Sequence, residues 1–484
     1  MGYKYKFQMY RDLLAKIPQI YAEAEQSGKE IGIPKELYGK FGLTGAISGC
    51  PAPLRKDIME ASEKGAKEVI PLAKLVDEIR EIVKDVYGDE WDAAPVNTCE
   101  AGLWVTFDSL FTPPALGRGD NYRARYIAPL EKHMHHQAGY GRPFPAKYKD
   151  FIADRGSTPG ELGFYGKRQN NLDTVIVPLA GARYEIHGIK QWPVPMLTEV
   201  DPEGSKKNLE KHADIHKTML TGFTSMCYPS PGYGYAAQDN EGTPVMLKNI
   251  AQIAQSYNVP YVIDNAWGLP FVGVNPVKVG CDAMIFSMDK ATGSATSGLV
   301  IGRDDIMVSI RRAMGMHGDR YGTTASYGKA AYVAFDPGKE ALLTQIQALK
   351  VLRDKPEVLT KPVDDLYNII VEEFKGLISR FPGIKITKVY NSTAVEINYE
   401  GTWKDGKMGI PIFSIEDMYA GTNIFQVGMN KFGVIPTIAY DGNIYVSTGL
   451  ATTDEDGNLI PEAARYAIKA LVSLIEITCK AVGI

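Results

Sequence analysis

Two ionisable residues lie at the ends of short apolar runs in the middle of the chain. The run VPYVIDN (259–265) contains Asp264, and the run CDAMIFSMDK (281–290) ends in Lys290. A lysine is costly to place beside buried strands without a partner or a purpose. Because functional residues collect at the carboxyl ends of parallel strands, we expect this acid and this amine to face one ligand. A structural ion pair between the two strand ends is the alternative interpretation.

Pyridoxal phosphate is a ligand that needs such a pair. Its aldehyde forms a Schiff base with a lysine amine, and a carboxylate keeps its ring nitrogen protonated so that the ring accepts electrons. Lys290 and Asp264 are the candidates for these two roles. The small residues of 291–298 would leave room for cofactor and substrate, and Ala266 is small enough to lie under the ring.

A second segment has the pattern of a phosphate site. NTCEAGLW (97–104) follows the strand-like stretch WDAAPV and begins a helical pattern. Backbone N–H groups at the start of a helix bind anions. We therefore expect a phosphate cradle whose Glu100 side chain turns away, formed by Thr98, Cys99, Glu100 and Ala101. An ordinary capped helix is the alternative.

The order of these motifs resembles the fold-type I pyridoxal-phosphate enzymes, which have the aspartate-aminotransferase-like fold. The resemblance covers about residues 90–335. In its motifs the chain is most similar to the branch that contains O-phosphoseryl-tRNA:selenocysteinyl-tRNA synthase and the class V aminotransferases, because QSYNVP precedes DNAWG and SMDKA carries Lys290. The resemblance implies pyridoxal 5'-phosphate as cofactor and a homodimer with shared active sites.

The resemblance also implies roles for other polar residues. One of the two histidines in EKHMHHQAGYG, His135 or His136, would stack on the cofactor ring, and we favour His136, with a catalytic role. A metal is not expected there, because no carboxylate or cysteine ligand has an obvious place. Ser225, or Thr224 beside it, would lie near the ring, and Ser287 would touch the phosphate.

The segment HGDRYGTTASYG (317–328) resembles the part of the fold that reaches into the partner subunit's site. There Arg320 would bind an anionic substrate group, and Thr323 or Thr324 would touch the cofactor phosphate. Two departures matter. GNIYVSTGLATTDED lacks the arginine that clamps the substrate in many aminotransferases, and FGLTGAISG lacks the arginine of the synthase branch. A standard transaminase and a phosphoseryl-tRNA substrate are both less favoured for this reason.

The elements around these residues predict an α/β fold. Helices are expected at 8–30 and from Pro53 to Val86, with a loop at 41–54 between them. From about residue 90, short apolar runs alternate with helical patterns, which predicts a large domain with a mostly parallel sheet flanked by helices. From about 340, long helices and short strands predict a smaller α+β domain. The predicted division is an arm at 1–60, a pyridoxal-phosphate domain at 61–340 and a small domain at 341–484.

Composition limits the class of protein. The 484 residues carry a formal net charge of −4, which disfavours nucleic acid as a partner, and the five cysteines show no pairing pattern. No apolar run is long enough to span a membrane, and the start lacks the pattern of a signal peptide, so a cytoplasmic location is expected. Aromatic and amide side chains are further candidates for the pocket lining: Gln191, Trp192, Tyr228, Tyr233 and Trp267.

These observations together predict an enzyme that acts on a small amino acid or amine through an external aldimine, with Lys290 moving a proton at the α-carbon. Elimination or replacement chemistry, of a lyase or transferase, is favoured. An aminotransferase and an amino-acid decarboxylase are the close alternatives. A tRNA-linked enzyme that converts an aminoacyl group is a third, and a non-enzymatic scaffold with a structural Asp264–Lys290 pair is a fourth.

Overall fold

The structure is a computed structural model of the chain. It describes the following ranges: 12–13, 15–48, 50–111, 124–130, 189–195, 201–315, 335–403, 409–411, 424–437, 439–440 and 442–484.

Strands and helices alternate along the described residues. The strands are β1 (Phe41–Gly42), β2 (Trp91–Val96), β3 (Arg125–Leu130), β4 (Lys190–Pro195), β5 (Leu220–Ser225), β6 (Tyr261–Asp264), β7 (Ala283–Ser287), β8 (Gly298–Arg303), β9 (Lys385–Val389), β10 (Ala394–Asn398), β11 (Val434–Ile435), β12 (Ala439–Tyr440) and β13 (Asn443–Ser447). The α-helices are α1 (Ile17–Ile31), α2 (Lys56–Lys67), α3 (Leu72–Tyr87), α4 (Cys99–Phe111), α5 (Pro202–His216), α6 (Val245–Ser256), α7 (Pro276–Val279), α8 (Asp304–Ala313), α9 (Lys339–Asp354), α10 (Glu357–Glu373), α11 (Lys375–Arg380), α12 (Ile424–Lys431) and α13 (Pro461–Ala481).

A seven-stranded sheet in the order β2-β8-β7-β6-β5-β3-β4 is the centre of the larger part of the chain. Strands β4, β3, β5, β6 and β7 run parallel to one another, whereas β8 runs antiparallel to both β7 and β2. Strands β5, β6 and β7 are buried along their whole length, as expected when helices cover both faces of a parallel sheet. The predicted fold class, α/β with a mostly parallel central sheet, is therefore confirmed.

Helix α4 crosses one face of this sheet. A Cβ atom added to Gly102 would lie 3.1 Å from methyl groups of Ile285, Val300 and Val96. Glycine at this position therefore lets the helix approach three neighbouring strands closely. This close packing sets where the amino end of α4 lies relative to the ends of β6 and β7.

The described apolar residues form two buried clusters. The first surrounds the seven-stranded sheet and includes the buried leucines of α9. The second lies under the sheet β12-β13-β10-β9 and includes residues of α1, α10 and α13. The division of the chain at 60 and 340 stays a prediction. No helix within these ranges combines the length and apolar character needed to cross a membrane.

The helix predicted from Pro53 to Val86 is wrong as a single element. The structure has α2 and α3 there, separated by residues 68–71. Glu68 is extended, with φ −104° and ψ 149°. Pro71 precedes α3 as its N-cap, and a proline inside a continuous helix would remove a backbone hydrogen bond. Pro71 was the sequence signal for this break.

Candidate active site

The structure brings the two predicted strand ends together. Strands β6 and β7 are parallel neighbours in which Asp264 lies opposite Ile285. Asp264 is 2% exposed, and its Oδ1 accepts a hydrogen bond of 3.0 Å from the backbone N–H of Ala266. Lys290 is partly exposed, and among the described residues its ammonium group makes no hydrogen bond and no ion pair. The two residues are therefore not the structural ion pair of the alternative interpretation.

Cys99, the first residue of α4, lies within electrostatic reach of both groups. Burial raises the pKa of the Cys99 thiol well above its ordinary value, the Asp264 carboxylate raises it further, and the Lys290 ammonium lowers it. Because one buried thiol senses both charges, the start of α4, Asp264 and Lys290 surround one region. The roles that the sequence analysis assigned to the cradle, the acid and the lysine stay a prediction.

The start of α4 offers two backbone donors. Thr98 caps the helix, because its Oγ1 accepts the N–H of Ala101 at 3.0 Å. The N–H groups of Cys99 and Glu100 have no hydrogen-bond partner within the described ranges, as is usual in the first turn of a helix. The Glu100 side chain is exposed. The cradle stays a prediction, with Cys99 and Glu100 as its donors and Ala101 already bonded to Thr98.

Thr224 and Ser225 lie on opposite faces of β5. Thr224 is opposite Val262, which shares a face with Asp264, whereas Ser225 is opposite Ile263. The Ser225 hydroxyl is bonded to Tyr261 on that other face. Thr224 is fully buried, and its hydroxyl has no partner in the described structure. Of the two, Thr224 therefore has the free hydroxyl on the Asp264 face.

The residues around Lys290 are held by their own hydrogen bonds. The Ser287 hydroxyl donates to the Asp289 carboxylate, and its N–H donates to the carbonyl of Ala266 at 3.2 Å. In the segment 291–298, hydroxyl groups bond to nearby backbone or to α9, as the pairs Thr292–Met288, Ser297–Ala295 and Ser294–Thr344 show. These small residues thus shape a tight turn in addition to leaving space.

A cavity beside Lys290 is lined by residues that the sequence did not indicate as site candidates. It is lined by the loop after β1, the turn after Lys290, the start of α10, the connection between β9 and β10, and the loop after β13: Gly45, Ala46, Ala52, Pro53, Arg55, Ala291, Gly293, Val358, Leu359, Pro362, Thr393, Thr448, Gly449, Thr453 and Gly457. Arg55 is 8% exposed and donates to the carbonyl of Thr292 at 3.1 Å. Its other nitrogens pair with both oxygens of Asp57, at 3.1 and 3.2 Å. Nothing local in the sequence signals this contact, because Arg55 and Thr292 are 237 positions apart.

Aromatic side chains form another wall near Asp264. The Tyr228 hydroxyl accepts the backbone N–H of Trp267 at 2.9 Å. Burial raises the pKa of Tyr228 well above its ordinary value, and the Asp264 carboxylate adds to this shift. The Tyr228 and Tyr233 rings are 4.6 Å apart. Trp192, in contrast, donates its indole N–H to His212 at 3.0 Å.

Several predicted site residues lie outside the described residues: His135, His136, Arg320, Thr323 and Thr324. The residues that are described fit pyridoxal phosphate. The Lys290 amine is unpaired, the Asp264 carboxylate is buried nearby, and the Thr224 hydroxyl is a buried polar group without a partner on the same face. The Thr224 hydroxyl in particular is costly to bury unless a ligand or another group bonds to it.

Comparisons with known proteins agree with this geometry. Residues 235–335, which include Asp264, Ser287 and Lys290, match the family model of the class-V aminotransferases. An arginine decarboxylase of Bacillus anthracis is 24% identical in an alignment of 172 residues that covers 32% of this chain and 31% of that protein. An arginine decarboxylase of Bacillus cereus is similar to the same extent, with 34% of its length covered. The chain thus spans about a third of the length of these curated relatives.

Solved structures show the same fold over most of the chain. The SepCysS–SepCysE N-terminal domain complex is 13% identical with a TM-score of 0.51, covering 92% of this chain and 96% of that one. Taurine:2-oxoglutarate aminotransferase from Bifidobacterium kashiwanohense is 10% identical with a TM-score of 0.52, covering 87% and 85%. At these identities the likeness shows the fold alone. The fold, the family match and the fitted residues together support pyridoxal 5'-phosphate as the cofactor. The chain has the fold of the fold-type I pyridoxal-phosphate enzymes, and its residues 235–335 are similar to the class-V aminotransferases.

Proposed function

We propose that this protein is a pyridoxal-phosphate-dependent enzyme that acts on the amino group of a small amino acid or amine, with Lys290 as the Schiff-base lysine. The observation that carries the proposal is the unpaired amine of Lys290 in one region with a buried carboxylate and the start of a helix. When bound, pyridoxal phosphate supplies an electron sink that weakens the bonds to the α-carbon of an amine substrate.

The chain's own residues have separable tasks in this proposal. Asp264, held by the N–H of Ala266, keeps a proton on the ring nitrogen. The N–H groups of Cys99 and Glu100 bind the phosphate at the positive end of α4. Lys290, which borders the cavity, takes up and returns the proton at the substrate's α-carbon through its amine.

The cavity supports a small substrate and favours elimination or replacement. Its described lining consists mainly of small and hydroxyl residues. Arg55 is the cation of this lining besides Lys290, and Asp57 already pairs with it. The wall that follows β13 is formed by Thr448 and Gly449 rather than by an arginine. This wall lacks the bidentate carboxylate clamp that an amino-acid transaminase would place there.

Decarboxylation is the second candidate, because the curated relatives are arginine decarboxylases. A tRNA-linked reaction is less favoured, since the net charge of −4 offers little attraction for nucleic acid. Arg320, Thr323 and Thr324 complete the proposal as groups that bind the substrate anion and the phosphate across a homodimer interface. His136 stacks on the ring, and the protein acts in the cytoplasm.

The experiment is a product analysis with a set of small amino acids and amines, using cofactor-loaded protein and Lys290→Ala as the control. Elimination releases the β-substituent of the amino acid and yields ammonia and a keto acid. Replacement exchanges that substituent for an added nucleophile and yields a new amino acid, and decarboxylation yields carbon dioxide and an amine. Transamination without a keto-acid acceptor stops after one turnover. Elimination or replacement products that depend on Lys290 are expected. Release of carbon dioxide would favour the decarboxylase, and a reaction that stops after one turnover would favour the aminotransferase. If none of the substrates gave a product, the proposal that the protein is an enzyme would be contradicted.

A further inference from the structure

A carboxyl group is buried where the two parts of the chain meet. Glu396 on β10 is 0% exposed. It lies opposite Tyr445 of β13, and Asn398 lies opposite Asn443, so the four side chains share one face of the smaller sheet. That face packs against residues 228–234, the loop after β5 that carries Tyr228 and Tyr233.

Three hydrogen bonds converge on one carboxyl oxygen of Glu396. Its Oε1 accepts the N–H of Gly232 at 2.8 Å, the amide of Asn398 at 3.2 Å and the amide of Asn443 at 3.4 Å. The approach of the loop is close, because a Cβ atom on Gly232 would lie 1.6 Å from the Asn443 amide and 2.5 Å from the Tyr445 hydroxyl. Glu396 therefore ties the loop backbone directly to the smaller sheet.

The other carboxyl oxygen of Glu396 has no hydrogen-bond donor within the described residues. Within the described structure, Glu396 Oε2 and the amide oxygen of Asn443 are both buried acceptors without a donor. A buried carboxylate with an unpaired oxygen is unfavourable, and so is an unpaired amide oxygen. A single proton on the carboxyl group removes the charge and turns one acceptor into a donor. A bound cation would instead need several more oxygen ligands than these two.

We propose that Glu396 is a neutral carboxylic acid in the folded protein and is the positioning residue that fixes the loop 228–234 beside the cofactor site. The loop reaches that site through Tyr228, which accepts the N–H of Trp267 at 2.9 Å. The rings of Trp267 and Tyr445 are 5.4 Å apart, and those of Tyr233 and Tyr445 are 5.3 Å apart. The consequence for the cofactor rests on the proposed function, whereas the protonation of Glu396 does not.

Among the described residues, the charged and titratable groups of the surrounding elements do not balance a negative charge on the Glu396 carboxyl group. The loop and β13 present phenols, those of Tyr228, Tyr233 and Tyr445, which are neutral over the physiological range. On β9, Thr387 is opposite Glu396, while Lys385 is opposite Asn398 at the exposed end of the strand. Lys388 of the same strand pairs with Asp364.

Burial raises the pKa of Glu396, while the nearby Ser230 hydroxyl, the amides of Asn398 and Asn443 and the N–H of Gly232 lower it by a smaller amount. The folded state therefore favours the neutral acid. The stability that this group contributes is complete at pH values below the ordinary carboxyl pKa of about 4.5, and it is lost as pH rises toward the folded pKa. Between these two values the unfolding equilibrium constant rises by about tenfold per pH unit.

The test compares the cofactor-free wild-type protein with Glu396→Gln, in which an amide replaces the neutral acid, by urea unfolding between pH 5 and pH 8. Exposed Glu36→Gln is the matched control. We expect the unfolding constant of the wild type to rise at least tenfold relative to Glu396→Gln over this range, and Glu36→Gln to follow the wild type. Parallel pH profiles for the wild type and Glu396→Gln would overturn the proposal.

Two further readouts complete the test. The infrared spectrum of wild-type protein with ¹³C-labelled glutamate at neutral pH should contain a shifted band of a protonated carboxyl group, and absence of that band would overturn the proposal even if the variant failed to fold. Cofactor affinity of Glu396→Gln should equal that of the wild type, while Glu396→Ala, which frees Gly232, should bind the cofactor at least tenfold more weakly. Equal affinity of the wild type and Glu396→Ala would refute the positioning role. A protein that binds no cofactor in any form would instead contradict the proposed function and leave the protonation result standing.

Discussion

Gly298, the first residue of β8, is the position at which a single methyl group should disturb the cofactor site most selectively. A Cβ atom there would lie 2.6 Å from the backbone nitrogen of Cys99 and 2.6 Å from the carbonyl oxygen of Thr98. These are backbone atoms, so no side chain can rotate away to make room. Gly298→Ala must therefore push the start of α4 away from β8 by several tenths of an ångström.

Two magnitudes follow from this displacement. Overpacking of this kind typically costs about 1–3 kcal/mol of stability. If the Cys99 N–H no longer reaches the phosphate, a charge-assisted hydrogen bond of about 1.5–3 kcal/mol is lost, which corresponds to a roughly ten- to hundredfold weaker affinity. Urea unfolding of the cofactor-free protein measures the first quantity, and equilibrium titration with pyridoxal phosphate measures the second.

Two other glycines separate these effects. Gly302 lies at the far end of the same strand, where a Cβ atom would meet the Asp282 carbonyl oxygen at 2.8 Å. Gly302→Ala should lower stability and leave cofactor affinity unchanged. Gly376 in α11 has no atom within 4 Å of an added Cβ, so Gly376→Ala should be neutral or slightly stabilising. If Gly298→Ala bound the cofactor as well as Gly302→Ala does, α4 would not be the phosphate site.

Three further outcomes are expected. Thr224→Val removes a buried hydroxyl without a described partner, so it should stabilise the cofactor-free protein by about 1 kcal/mol in urea unfolding and weaken cofactor binding in titration; stronger binding would contradict the placement of this hydroxyl at the ring. Burial raises the pKa of Asp336 to about 7, so the wild type should lose stability relative to Asp336→Asn as pH rises from about 4 to about 7. A difference in unfolding free energy between the two proteins that does not change with pH would refute this. Asp92 is fully buried and pairs with Arg80 and Arg311. Asp92→Ala should therefore cost about 3–5 kcal/mol of stability in urea unfolding. A loss below about 1 kcal/mol would show that these arginines find other partners.

The sequence was sufficient for the central sheet because its parallel strands are buried on both faces. The strands that lead to Asp264 and Lys290 are therefore mostly apolar, and the adjacency of their ends follows from parallel pairing. The start of α4 was predictable for a similar reason, since Thr98 caps the helix locally. In these places the local pattern and the tertiary structure depend on the same residues.

The other features of the site depend on contacts between residues far apart in the sequence, or on the register of neighbouring strands. The choice between Thr224 and Ser225 requires the register of β5 against β6, which apolar runs do not reveal. Asn265 and Asn391 exchange side-chain amide hydrogen bonds of 3.3 and 3.0 Å across 126 positions, and neither has a local signal for this pairing. Arg55 reaches the turn after Lys290 in the same way. Pattern analysis can predict which strand ends carry polar residues, but the cavity wall forms only when the smaller part of the chain packs against them.

The most direct measurement is to incubate the protein with pyridoxal phosphate, reduce it with borohydride, digest it and locate the added mass. Reduction makes the bond between the cofactor and its lysine permanent, so the modified peptide identifies the residue. The account predicts a single phosphopyridoxyl group on the peptide that contains Lys290, and no such group at any residue of Lys290→Ala under the same conditions. Attachment at another lysine, or none in the wild type, would contradict the assignment of Lys290 and of the site built around it.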